Sequence, residues 1–400
     1  MRRSVFIAAI ENSGDHLGAG LITSLREQDP ALNIRGIGGA AMESVGVPSD
    51  FDISRLSILG FTEGVQAYPH VLERVKSAAK IIMQARPDAV VLIDSWGFMV
   101  RLAKQLKSSG YAGKIVKYAA PQVWAMRSGR AKVLAQHVDY LLSIQPMDKP
   151  FFDAVGLPND YVGNPMFDTD LSGGDGQGLR TEYNIPKDAP IAGVFFGSRL
   201  SELRSLATPF ADTVERVKQA RPDVHFVAPM AASIDEDILA AAGEDLRLQD
   251  IILLPETRKL DVFAASDVAL ACSGTITTQL ARVGVPTVVA YKLSALTYFF
   301  ASRMFRPPHI SIVSIAANQE LMPEFMQKDV NGITLSHALL ERLESESLRA
   351  TESEALLKQT RKMSLDLGGP EKSDQEKSDH KKSGKASRQA ALKLLEFISA

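Results

Sequence analysis

Short apolar runs rich in β-branched residues recur from the N-terminus onward, each separated from the next by an amphipathic stretch of helical period. Ser4–Ile10, Asn33–Ile37, Asp88–Asp94, Lys114–Tyr118 and Tyr140–Ile144 form a first series. Pro190–Phe196, Val224–Ala228, Ile251–Leu254, Val268–Ala271 and Thr287–Tyr291 form a second. Strands that alternate with helices pair in parallel, and parallel strands are covered on both faces. The pattern therefore predicts an α/β chain with two doubly wound parallel sheets. Sheets of this kind bind ligands beyond the carboxyl ends of their strands, so two such domains facing each other would share one central cleft. A Gly/Ser/Asp-rich stretch over 169–179 reads as the linker between domains at 1–168 and 180–350. A helical segment over 351–370, a charged connector over 371–384 and a last amphipathic helix over 385–400 complete the chain.

Composition narrows the function classes. A chain of 400 residues, 45% of them hydrophobic, exceeds what one core organises and can supply two. Lys and Arg number 45 against 47 Asp and Glu, so net charge gives no general pull toward nucleic acid. The single cysteine, Cys272, forms no internal disulfide, and Met1-Arg-Arg-Ser4 leads into a strand without a signal-peptide pattern, so the cytoplasm is expected. No apolar run approaches the roughly 18–20 residues that span a bilayer, so any membrane contact is expected to be peripheral. The seven histidines are dispersed and no metal site or cofactor is expected. Asp168-Thr-Asp170 reads as solvated loop beside the linker, and Cys272, in an apolar strand, as an inert thiol.

Chemistry is expected where strands end. Phe195-Phe-Gly-Ser-Arg-Leu-Ser-Glu-Leu203 leaves a strand through Gly197 and Ser198 and enters a helix carrying Arg199 and Glu202. Ser273-Gly-Thr-Ile-Thr277, followed by Gln279, is a second such turn in the same domain. Free amides, hydroxyls and a guanidinium at two helix starts suit a nucleotide diphosphate; an ordinary capped junction is the plainer reading. In the first domain the turn Glu11-Asn-Ser-Gly-Asp15 carries carboxylates instead. Glu11 and Asp15, with Ser13 and Gly14, suit sugar hydroxyls, unless Ser13 and Asp15 merely cap the following helix. Asp94 ends another apolar strand, where it serves either as a base or as a cap, and Trp124 and Arg127 follow the next strand.

These residues, in this order, resemble the lipid-A-disaccharide synthase family, inverting glycosyltransferases of the two-Rossmann-domain GT-B type. The motifs are Glu11-Asn-Ser-Gly-Asp-His-Leu-Gly-Ala19, Gly36-Ile-Gly-Gly39 with Met42, Leu59-Gly-Phe-Thr-Glu63, Leu92-Ile-Asp-Ser-Trp-Gly-Phe98 and Gln122-Val-Trp-Ala-Met-Arg127. Gly197-Ser-Arg-Leu-Ser-Glu202, Ser273-Gly-Thr-Ile-Thr277 and Met322-Pro-Glu-Phe-Met-Gln327 continue the match, which runs from Val5 to about Gly369. The resemblance implies transfer of diacylglucosamine from its UDP derivative to the 6-hydroxyl of diacylglucosamine 1-phosphate. Asp94 would be the base, assisted by Glu11 and Asp15. Gly197, Ser198, Arg199, Glu202, Ser273, Gly274, Thr275, Thr277 and Gln279 would hold UDP, and Ser13, Gly14, Trp124 and Arg127 would line the acceptor side.

Acylated substrates imply a peripheral site on the cytoplasmic face of the inner membrane. Phe61, Val65, Tyr68 and Leu72, aided by Tyr298, Phe299, Phe300 and Phe305, are expected to form acyl-binding surface, with core packing as the alternative. The family also implies that the C-terminal segment can exchange between partners of a homodimer. Gln279 stands where a glutamate often meets the nucleotide ribose, and Ser314 where asparagine is frequent. A UDP-sugar 2-epimerase of similar architecture and a non-catalytic nucleotide-sugar or lipid-binding paralogue are the rival readings.

Overall fold

The structure is a computed structural model that describes residues 3–50, 68–293, 298, 307–364 and 384–400. It divides into two compact units, Met1–Thr169 with Met363–Ala400, and Asp170–Lys362.

The first unit is built on six parallel strands, β1 (Ser4–Ala8), β2 (Asn33–Ile37), β3 (Ala89–Ile93), β4 (Lys114–Tyr118), β5 (Tyr140–Ser143) and β6 (Asn159–Tyr161), in the order β2-β1-β3-β4-β5-β6. Alternation explains why β3 is apolar throughout and β1 is apolar after Ser4. Phe6, Ala8, Val90 and Leu92 face one core, with Phe98, Met99 and Leu102 of the helix Trp96–Ser108. Val5, Ile7, Val91 and Ile93 face the other, with Leu21, Ile22 and Leu25 of the helix Asn12–Gln28. Each fully buried side chain of this size contributes about 1.5–3 kcal/mol. The close approach of Asn12–Gln28 to Met42 explains Gly18, because a Cβ there would lie 2.6 Å from the Met42 sulfur.

The chain's last helix, Lys385–Ser399, belongs to this unit as well. It buries Ala390, Ala391 and Leu394 in the second of these cores, and Phe397 stacks on Tyr140 with ring centroids 4.4 Å apart. Asp168, expected to be only solvated loop, accepts a hydrogen bond from the Ala386 amide at 2.9 Å and so anchors the start of that helix.

The second unit repeats the plan with β7 (Ile191–Phe195), β8 (His225–Met230), β9 (Ile251–Pro255), β10 (Val268–Cys272), β11 (Thr287–Tyr291) and β12 (Glu324–Met326), all parallel, in the order β12-β11-β10-β7-β8-β9. Ala192, Val194, Leu270 and Cys272 face one core, and Ile191, Phe195, Ala269 and Ala271 the other. Cys272 is buried, which pushes its thiol up to about 12, in keeping with an inert side chain. The 169–179 stretch, expected as a linker, is packed. A helix starts inside it at Gly176, capped by Asp175, and Gly174 and Gly176 lie too close to the backbone of Leu260 and Ala264 for any side chain. Two strands were not expected, β6 and β12. Both are three-residue edge strands, too short to show a period.

Candidate active site

In the first sheet β1 and β3 are neighbours whose connections run in opposite directions, which makes their carboxyl ends the topological switch point where open α/β sheets bind ligands. The turns beyond those ends carry Ser13 and Asp94. Asp94 and Ser95 both adopt left-handed backbone, with φ of 51° and 32°, uncommon for residues with a Cβ. This turn is held on three sides. The Asp94 amide donates to the Tyr118 carbonyl at 3.0 Å, its carbonyl accepts from Lys117 Nζ at 2.7 Å, and its carboxylate accepts from Ser13 Oγ at 2.9 Å. The carboxyl group is thus presented at the sheet edge rather than spent on the helix Trp96–Ser108, whose start has no side-chain cap.

Lys117 was not anticipated. It lies in the central strand β4, only 2% exposed, and donates to the carbonyls of both Asp94 and Tyr118. Burial lowers its ammonium to about 7, with Asp94 and then Glu11 pulling the other way. The sequence signal was a lysine inside a strand covered on both faces.

Asp15 departs from expectation. It is 3% exposed, and its two oxygens accept from the amides of Gly39 at 2.7 Å, Ala41 at 2.8 Å and Met42 at 3.2 Å. It caps a different helix, Ala40–Ser44, from the one it was expected to cap, and most of its acceptor capacity is engaged there. Ser13 does not cap Asn12–Gln28 either, since Glu11 occupies the N-cap position without a side-chain bond. Glu11 is exposed. Gly14 is buried, and a Cβ there would meet the Asp94 Cβ at 3.6 Å.

Beyond β4, Trp124 is 8% exposed and packs inward, while Arg127 is exposed on left-handed backbone with φ of 53°. Asp148, beyond β5, is 1% exposed; burial pushes its carboxyl up to about 7, with the Gln145 amide and the Trp124 indole pulling it down. The Arg130 guanidinium lies over the Trp96 ring, 5.1 Å from its centroid.

In the second sheet the switch point falls between β7 and β10, and the two expected turns leave those strands. They meet around a cavity of about 390 Å³ that Gly197, Ser198, Arg199, Glu202, Ser273, Gly274, Thr275 and Gln279 help to line. Gly197 has a φ of 97°, and a Cβ there would lie 2.2 Å from a Glu202 oxygen. That carboxylate fills the turn, accepting from the amides of Ser198 at 3.0 Å and Arg199 at 3.3 Å and from Arg199 Nη1 at 2.8 Å. The pairing raises the Arg199 guanidinium above its ordinary value, although the side chain is 75% exposed. The helix Thr275–Arg282 has no side-chain cap, so its start remains open to an anion. Thr277 is buried and braces the turn through Gly274 O at 2.7 Å instead of reaching the cavity. Ser314 is buried, hydrogen-bonded to Ser311 and the Leu321 amide. A wider depression of about 560 Å³ lies at the amino ends of the strands, near Asp267 and Pro286, away from both turns.

Phe61, Val65, Phe299, Phe300 and Phe305 lie outside the described residues, as do the 371–383 residues of the connector. Tyr68 begins the helix Tyr68–Ala85, and Leu72 and Tyr298 are half-buried. Among the described residues no helix is long and apolar enough to cross a membrane.

The family model described as lipid-A-disaccharide synthetase matches residues 5–376. The chain belongs to the lipid-A-disaccharide synthase family. Lipid-A-disaccharide synthase of Rhodospirillum centenum is 35% identical over 346 residues, 86% of each chain. That of Paramagnetospirillum magneticum is 35% identical over 368 residues, 91% of this chain and 93% of its own. Membership makes the chain an inverting glycosyltransferase. Among solved structures, UDP-GlcNAc 2-epimerase from Neisseria meningitidis bound to UDP-GlcNAc superposes with a TM-score of 0.57 at 10% identity, covering 89% of this chain and 94% of its own. The glycotransferase of kitacinnamycin gives 0.60 at 16%, covering 99% and 98%. At such identities the likeness is one of fold, so the epimerase rival gains nothing from it.

Proposed function

We propose that Asp94 is the general base of lipid A disaccharide formation. It takes the proton of the 6-hydroxyl of a diacylglucosamine 1-phosphate as that oxygen attacks the anomeric carbon of UDP-diacylglucosamine. The new β-1,6 bond forms as the bond to UDP breaks, and UDP leaves with the electron pair. The observation that carries this reading is the Asp94 carboxylate, turned to the switch-point edge by left-handed backbone and touched by Ser13. Ser13 fixes its rotamer, and Lys117 fixes the backbone beneath it.

UDP is held by the second unit, its diphosphate at the open start of Thr275–Arg282, with Ser273, Gly274 and Thr275, and with Arg199 meeting charge on the departing oxygen. Gln279 retains an acceptor for the ribose. Glu202 organises the Gly197 turn rather than touching phosphate, because its oxygens already hold that turn's amides. Asp15 builds the first-unit turn from below, Glu11 adds negative potential near Asp94, Gly14 and Trp124 support the acceptor side from within, and Arg127 borders the acceptor.

The acylated substrates place the reaction at the cytoplasmic face of the inner membrane, with Phe61, Val65, Tyr68, Leu72, Tyr298, Phe299, Phe300 and Phe305 as acyl-contact candidates. Serine replacements there should reduce membrane retention. A homodimer exchanging its C-terminal segment is the assembly proposed, and sedimentation velocity reads it. Purified protein given both acylated sugars should release UDP and form disaccharide. Release without disaccharide, or full turnover by Asp94→Asn, refutes the assignment.

A further inference from the structure

Arg127 and Arg130 sit on one turn beyond β4, where the Arg130 amide donates to the Arg127 carbonyl at 2.9 Å. Arg130 rests on the face of Trp96, two residues past Asp94, which ties the pair to the edge that carries the base. Arg127 is exposed and held on left-handed backbone. Among the described residues no carboxylate pairs with either guanidinium. Burial and then the nearby Arg127 charge lower Arg130 below its ordinary value, so the two cations repel across the turn without an anion between them. Other arginines do meet carboxylates, Arg199 with Glu202, Arg247 with Asp245 and Arg342 with Glu352. A like-charged pair left unneutralised beside a catalytic carboxylate suits a dianionic ligand whose oxygens accept from both forks.

We propose that Arg127 and Arg130 form a phosphate-monoester subsite that grips the anomeric phosphate of the acceptor and so selects the phosphorylated sugar over its 1-hydroxyl counterpart. The proposal rests on Asp94 serving as the base for the 6-hydroxyl. In the pyranose ring the anomeric carbon and the carbon bearing the 6-hydroxymethyl group flank the same ring oxygen, so fixing the phosphate aims the hydroxyl. The same forks could instead meet a phospholipid headgroup at the bilayer, and the experiment separates the two.

The test uses the full chain in neutral detergent, free of phospholipid, with short-chain diacylglucosamine as its 1-phosphate and as its 1-hydroxyl. Wild type should prefer the phosphorylated acceptor. Arg127→Gln and Arg130→Gln should each raise the KM for that acceptor about tenfold, leaving kcat and the KM for the UDP-sugar near wild type, and the double variant should lose the preference. Inorganic phosphate should compete with the acceptor in wild type and not in the double variant. An unchanged KM, or a preference that survives in the double variant, overturns the proposal. So does loss of cosedimentation with phosphatidylglycerol vesicles while the preference stays intact, which assigns the pair to the headgroup. Glucosamine 1-phosphate binding, followed by the fluorescence of Trp96 beneath Arg130, needs no turnover. A signal in wild type that Arg130→Gln abolishes supports the subsite even should disaccharide formation fail, and no signal in wild type overturns it.

Discussion

Lys117 makes a prediction that can be worked through. Its ammonium is buried and lowered from an ordinary value of 10.5 to about 7. Between those limits the folded chain has released a proton that the unfolded chain still holds. Raising the pH through the window therefore favours the folded state, by about 1.4 kcal/mol per pH unit and about 5 kcal/mol across the whole of it. Tyr111, Tyr118, Tyr140 and Tyr161 act oppositely. Burial raises each above the ordinary value of 10.0, so their contribution is present below that pH and lost above it. The lysine should dominate from about pH 7 to 9. Both tryptophans, Trp96 and Trp124, lie in the first unit, so their fluorescence during urea unfolding reports that unit. Between pH 7 and 9 wild type should gain on Lys117→Met by about 1.4 kcal/mol per unit, whatever the variant's absolute stability. Parallel curves for the two proteins would refute the buried-cation account.

Three further outcomes are expected. Asp94→Asn should lower kcat on the order of 10²–10⁴-fold without changing UDP affinity measured by calorimetry; a weakened UDP site would point to a structural role. Asp15→Ala strips three amides of their acceptor and should destabilise the first unit by about 3 kcal/mol in urea, whereas a stable but inactive protein would return Asp15 to the chemistry. Asp148, pushed from 3.8 to about 7 by burial, stabilises the fold while protonated, a contribution lost as pH rises from about 4 to 7. Asp148→Asn should thus gain on wild type over that range in the same fluorescence assay.

The strands were legible because a parallel sheet covered on both faces needs uninterrupted apolar runs, and those runs survive without knowledge of what covers them. Asp94 was legible for a related reason: a charge ending such a run must sit at the sheet's edge. The role of Asp15 was not, because its partners Gly39, Ala41 and Met42 lie beyond a further helix and strand, a proximity set by tertiary packing alone. Lys117 was hidden by the ordinary habit of placing a strand's polar residues toward water, which fails in a central strand. Asp168 and the last helix meet across more than two hundred residues, and nothing local announces it. Glu202 was singled out for UDP, and its bracing of the Gly197 turn could have been read as well, since a glutamate three residues past the N-cap is a capping-box spacing.

The last helix has a consequence for the order in which the protein is made. The first unit takes its opening strand from one end of the chain and Lys385–Ser399 from the other, whereas Asp170–Lys362 is continuous. A ribosome therefore releases every residue of the later unit before the earlier one has received all of its own. During translation the half that carries Asp94 must wait, with the ground meant for Ala390, Ala391 and Leu394 still bare, until Lys385–Ser399 has emerged.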